Sequence, residues 1–180
     1  MRLVLAALGF VSLALAIPTS SQAEVCSADY VLAPDHSALS ILFTDLTVEG
    51  SGQSASECTI DVPLDLPEGM SLGVYRVDYR GFASLAKKDV ATLQVSYELG
   101  PKGNGRHFKR SVRGALEDDF AFTENIGAGL MKRVGCGADA HLRGSVSLLL
   151  KGKGDSLATL DSGDGAARRG LVYRFNLKKC

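Results

Sequence analysis

The chain has no tryptophan among its 180 residues, only three histidines, and no pair of cysteines at CxxC spacing. Each absence removes a class of function. Without tryptophan, and with aromatics at 7%, stacking platforms for neutral sugars are in short supply. Four widely spaced cysteines do not make a zinc site, which needs convergent ligands. Twenty bases balance twenty acids, so nothing draws the chain as a whole to nucleic acid or to a membrane surface. After Ala16 no apolar run approaches the roughly 20 residues of a membrane helix, and no transmembrane segment is expected in the mature protein.

Turning to what is present, the N-terminus has one base at Arg2, an apolar run from Leu3 to Ala16, a helix-breaking Pro18, and small residues at Ser21 and Ala23. That order is the pattern of a secretory signal peptide. Residues 1–23 are expected to be cleaved, with cleavage after Ala16 as the alternative, leaving residues 24–180 as a single domain. A domain of this size buries about 70% of its unfolded surface. Cys26, Cys58, Cys136 and Cys180 all lie in the exported part, where an oxidising compartment favours two disulfides. Four cysteines allow three pairings. The expected one joins Cys26 to Cys58 and Cys136 to Cys180, because Cys136 begins one strand-like segment and Cys180 ends another.

Period-two alternation recurs along the mature chain, and a sustained helical period does not. Cys58, Ile60, Val62, Leu64 and Leu66 alternate with Thr59, Asp61, Pro63 and Asp65, which reads as a half-buried strand that either lies at a sheet edge or has Pro63 facing outward. Leu93 to Leu99 and Leu171 to Leu177 alternate in the same way, as do Leu142, Val146, Leu148 and Leu150 around Gly144. Leu39, Ile41 and Phe43 change phase to Leu46 and Val48, which predicts a bulge near Thr44 or Asp45. Phe108 with Val112, and Phe120 with Phe122, mark further strands. Turn chemistry at Pro67-Glu68-Gly69, Gly100 to Gly105, Gly127-Ala128-Gly129, Gly152-Lys153-Gly154 and Ser162 to Gly165 separates the runs. The fold expected is all-β, an antiparallel β-sandwich of about eight strands stabilised by two disulfides.

The segments SALSILFTDLTVEG (Ser37 to Gly50) and CTIDVPLDLPEGMSLGVYRVDYRGFASL (Cys58 to Leu85), the Cys136-Gly137 pair and the terminal Cys180 carry a likeness over nearly the whole mature chain. On these residues the chain resembles the secreted-protein family filed as domain of unknown function 4360. This chain departs from the family in having Tyr173 and Phe175 where relatives commonly carry a tryptophan near the last cysteine. The resemblance implies a secreted, disulfide-bonded domain and supplies no catalytic residues.

Gly69-Met70-Ser71-Leu72-Gly73 spells GxSxG, but a nucleophile elbow needs a strand turning sharply into a helix. Here the motif leads into the alternating stretch VYRVDYRGF, so Ser71 is read as part of a turn between strands. The alternative is a small secreted serine hydrolase using Ser71 with His141 or His36. Asp35-His36-Ser37 holds all three triad residue types, yet neighbours on an extended chain point to opposite faces. Asp139 and His141 offer a metal only two ligands, and Asp161 to Gly165 lacks the alternating acids of a calcium loop, so neither a metal nor a cofactor is expected.

In VYRVDYRGF, Tyr75, Val77 and Tyr79 are expected to face inward and Arg76, Asp78 and Arg80 outward, with Gly81 bulging the chain. The segment from Lys102 to Arg113 holds five bases and no acid, with Glu117-Asp118-Asp119 close behind. On a hairpin tip, Arg106, Lys109, Arg110 and Arg113 could grip an anionic glycan, phosphate or acidic protein, or they could pair with the nearby acids as a solvated loop. The Arg76, Asp78 and Arg80 row is the second candidate surface. The expected molecule is an exported, non-enzymatic binding or structural module in the periplasm or outside the cell. Its expected partners are anionic envelope polymers or acidic proteins rather than nucleic acid. Self-assembly of the basic segment with the acidic patch of another copy is a further possibility.

Overall fold

A computed structural model describes residues 26, 28–100, 105–127, 132–137, 140–160 and 170–180. The expected signal peptide, Lys102, Asp139 and the turn at 162–165 lie outside the described residues. The ten strands are β1 (Ala28–Leu32), β2 (Ala38–Phe43), β3 (Thr47–Pro63), β4 (Met70–Leu85), β5 (Val90–Leu99), β6 (Arg106–Arg113), β7 (Leu116–Asn125), β8 (Arg133–Gly135), β9 (His141–Thr159) and β10 (Gly170–Lys179). Every pairing between them is antiparallel, and no helix occurs among the described residues.

Hydrogen bonding is continuous, but the strands stack in two layers. One runs β1-β2-β10-β4 with β7 and β8 on the far edge of β4; the other runs β3-β9-β5-β6. Ring contacts between strands that do not pair show the stacking. Tyr79 of β4 lies 4.1 Å from Phe108 of β6, and Tyr97 of β5 meets Tyr173 of β10 edge-on at 5.3 Å. The alternating residues supply the core between the layers: Ala91, Leu93, Val95, Tyr97 and Leu99 are buried on β5, and Leu142, Val146, Leu148 and Leu150 on β9. Among the described residues β3 pairs with β9 alone, so Pro63 sits on an edge strand where its missing donor breaks no ladder.

The layers join where β9 leaves β5 after Lys151 and pairs with β4 from Leu157 onward. Gly152-Lys153-Gly154, expected as a turn, therefore lies within β9. The reason is Asp89, whose carboxylate accepts from the Lys153 N–H at 3.0 Å, the Gly154 N–H at 3.1 Å and the Ser156 hydroxyl at 2.8 Å. A Cβ on Gly152 would lie 2.0 Å from the Asp89 carboxyl carbon, so only glycine lets the strand wrap this group.

The phase change at Thr44 and Asp45 is a bend rather than a bulge, since β2 and β3 belong to different layers. A true irregularity sits opposite the Arg174/Phe175 step, where Arg76 pairs with Arg174 and Val74 with Phe175, leaving Tyr75 as the extra residue. Tyr75 is consequently 41% exposed instead of inward, and beyond it Val77, Tyr79, Gly81, Ala83 and Leu85 keep one buried phase with no bulge at Gly81.

Disulfides join Cys26 to Cys58 and Cys136 to Cys180. Cys136 follows β8 and Cys180 follows β10, and these strands flank β4 on opposite edges, so the second pair does not bridge two side-by-side strands. Cys136 N–H bonds to the Met70 carbonyl and Cys180 N–H to the Gly69 carbonyl, so the bridge closes over the start of β4.

Candidate functional site

The outer face of β3-β9-β5-β6 is mostly polar because each strand turns its non-core residues outward, with Leu149 and Val90 as apolar members. Register aligns Thr59, Ser145, Ser96 and His107 in one row, and Glu57, Ser147, Gln94 and Lys109 in the next. Hydroxyls bond across strands at 2.8 Å for Ser96 with Ser145 and for Thr92 with Ser111. A hydroxyl in one such bond still has capacity for another. Two adjoining hollows of about 290 and 410 Å³ lie on this face and share Ser96, His107 and Ser145. Lys109 borders the larger one. Farther along the face Arg113, Val90 and Lys151 are aligned, which places a third and fourth base on the same side as His107 and Lys109. At the opposite end Asp61 binds His141 at 2.7 Å and Arg143 at 3.0 Å, and these bonds hold its carboxyl below the usual range.

The predicted basic segment is not a loop. Residues 106–113 form β6, an edge strand paired with β5, and the four bases divide between its two sides. Lys109 and Arg113 share the outer face with His107. Arg106 stands opposite the inward Tyr97 and donates to Glu124 at 2.9 Å, while the Arg110 guanidinium lies 4.9 Å from the centre of the Phe108 ring. Arg106 is therefore already engaged.

The Arg76, Asp78 and Arg80 row also changes character. Asp78 is 4% exposed although it points outward, because Arg76 (2.8 Å), Thr123 (2.8 Å) and Arg174 (3.3 Å) close over its carboxylate. Burial alone would raise its pKa, but the hydrogen bonds from Arg76, Thr123 and Arg174 lower it on balance. Arg80 stays exposed on the same side.

Ser71 lies within β4, paired on both edges, and is 7% exposed. Its hydroxyl donates to the Lys178 carbonyl at 3.2 Å and accepts from Arg133 Nε at 3.1 Å. The two histidines paired with it in the hydrolase alternative are engaged elsewhere. His141 binds Asp61, and His36 Nε2 contacts the Asp65 carbonyl at 3.1 Å. The structure does not bring Ser71 and His141 together. No cluster of three metal-ligating side chains occurs among the described residues.

Sequence reasoning missed Glu124. From β7 it reaches between the layers and accepts from Tyr79 at 2.9 Å, Tyr97 at 3.2 Å and Arg106 at 2.9 Å. Burial pushes the Tyr79 and Tyr97 hydroxyls well above the ordinary tyrosine range, so both remain donors. The available signal was weak: Phe120, Phe122 and Glu124 share a period-two phase, which places the acid on the apolar side.

The family model described as domain of unknown function (DUF4360) matches residues 24–180. The chain belongs to the DUF4360 family. No curated protein matches this DUF4360 chain in sequence. In fold it is similar to TmCBM61, a carbohydrate-binding module solved in complex with β-1,4-galactotriose, at 18% identity and a TM-score of 0.35 over 86% of this chain and 87% of that one. It is also similar to the infectious bursal disease virus VP2 subviral particle, at 12% identity and a TM-score of 0.25 over 91% of this chain and 46% of that one. These likenesses concern strand architecture, and no residue's role is carried across from them. Two disulfides, with no described helix long and apolar enough to cross a membrane, are compatible with an extracellular DUF4360 protein.

Proposed function

We propose that this DUF4360 protein is an exported, non-enzymatic binding module that holds an acidic polysaccharide across the outer face of β3-β9-β5-β6. The observation that carries the reading is the pair of hollows joined at Ser96, His107 and Ser145. A polymer laid there meets ranks of hydroxyl and amide groups suited to its own hydroxyls, while Lys109 and Arg113 face its carboxylates. Among the described residues no phenylalanine or tyrosine belongs to the outward rows of this face, which favours charge and hydrogen bonding over ring stacking. The N-terminal pattern of Arg2 and the apolar run to Ala16, together with the two disulfides, supports export.

The test is affinity electrophoresis of the mature protein in gels containing polygalacturonate or a neutral galactan. Retardation is expected in the acidic polymer alone, weakening as salt rises, and is expected to be lost in a Lys109→Ser, Arg113→Ser variant. Equal mobility in both gels at low salt overturns the reading. Because Arg106 is bound to Glu124, the variant leaves it in place.

A further inference from the structure

The margin where β6 and β7 meet is a second surface, adjoining the larger hollow through Lys109. The two strands are joined at Gly114-Ala115 and run alongside one another, linked by the Arg106–Glu124 ion pair at 2.9 Å and the Phe108–Phe122 contact at 6.2 Å. They share no backbone ladder. Among the described residues β6 pairs with β5 and β7 with β4, so each presents one unpaired edge at the same side of the sandwich.

Charge on the two strands is segregated by sign. β6, RHFKRSVR, exposes Lys109, Arg110 and Arg113 and holds no acid; β7, LEDDFAFTEN, exposes Glu117 and Asp118 beside Asp119 and holds no base. The Lys109, Arg113 and Glu117 side chains have no partner among the described residues. Edge charges of one sign guard a strand against its own kind: β6 repels another β6, and β7 another β7. They do not guard β6 against β7.

We propose that two copies of this chain pair through this margin, β6 of each against β7 of the other. A two-fold axis parallel to the strands along the margin exchanges the layers and sets β6 antiparallel to the partner's strand, and it repeats the contact symmetrically. The result is a closed dimer with two basic-to-acidic ladders rather than an open fibre. The arrangement shares Lys109 and Arg113 with the polysaccharide reading, but it rests on the two open edges and their opposite charges, and it is read from the protein alone with no polysaccharide present.

Sedimentation velocity of the mature protein at low and high salt tests it, with two charge-swap variants. One carries Lys109→Glu and Arg113→Glu, the other Glu117→Lys and Asp118→Lys, and circular dichroism verifies that each is folded. A dimer is expected at low salt that dissociates as salt rises, with each variant alone monomeric and their equimolar mixture dimeric again. If a double variant fails to fold, the single pair Arg113→Glu and Glu117→Lys takes its place. A wild-type monomer at low salt, variants that dimerise alone, or a mixture that stays monomeric overturns the proposal.

Discussion

Val62 and Thr59 stand three residues apart on β3, and the layer between which they choose decides what a charge does there. Val62 is 3% exposed and paired opposite buried Leu142, whereas Thr59 faces outward opposite Ser145. Val62→Asp places an uncompensated charge in the core and is expected to cost roughly 3–5 kcal/mol. Thr59→Asp is expected to change stability by no more than about 0.5 kcal/mol. Urea unfolding of the two variants measures the difference, and equal effects would mean that the faces of β3 are reversed. Tyr75 shows the limit of the same logic. Alternation assigned it inward with Val77 and Tyr79, but one extra residue against β10 flips its phase, and nothing in VYRVDYRGF marks which residue is extra.

At the scale of elements, the closures at the start of β4 matter most. Cys136 and Cys180 enclose a sequence separation of 44 residues that includes all of β9 and β10. On the chain-entropy model, Cys136→Ala with Cys180→Ala should remove about 4 kcal/mol, read as a lower urea midpoint in the double variant. An unchanged midpoint would place the bridge's effect in the unfolded state's residual structure instead. β6 is the element whose setting was least legible. Its bases suggested a solvated tip, but they decorate an edge strand whose inward Phe108 stacks on Tyr79, and that partner is 29 residues away in the chain.

The response to acid is a property of the whole molecule. Asp89 has its carboxyl lowered first by the Ser156 hydroxyl and then by the Lys153 and Gly154 N–H groups, and Asp78 is lowered on balance by Arg76, Thr123 and Arg174. A carboxyl depressed in the folded state stabilises above its unfolded pKa, about 3.9, and that contribution is lost as pH falls through the lower folded value. The melting temperature is therefore expected to hold from neutrality to about pH 4 and to fall below it. Asp89→Asn should melt lower at neutral pH and lose less on further acidification. A variant curve parallel to the wild type would show that Asp89 does not carry this dependence. Because Asp89 pins the corner where β9 passes between layers, its loss is felt across both sheets.

The all-β class and the inward sets of β3, β5, β9 and β10 were determined by the chain itself, since burial of alternate side chains depends on local pattern, whereas which of the four cysteines meet depends on where the strands are brought together. The hollows at Ser96, His107 and Ser145, the carboxylate cage around Asp78, the Glu124 network and the Asp89 corner were decided only by tertiary structure. Each joins residues from strands far apart in the chain, such as Arg76 with Arg174 and Ser96 with Ser145. Strand order and register create those meetings, and period-two alternation fixes which side a residue faces without fixing which strand lies beside it.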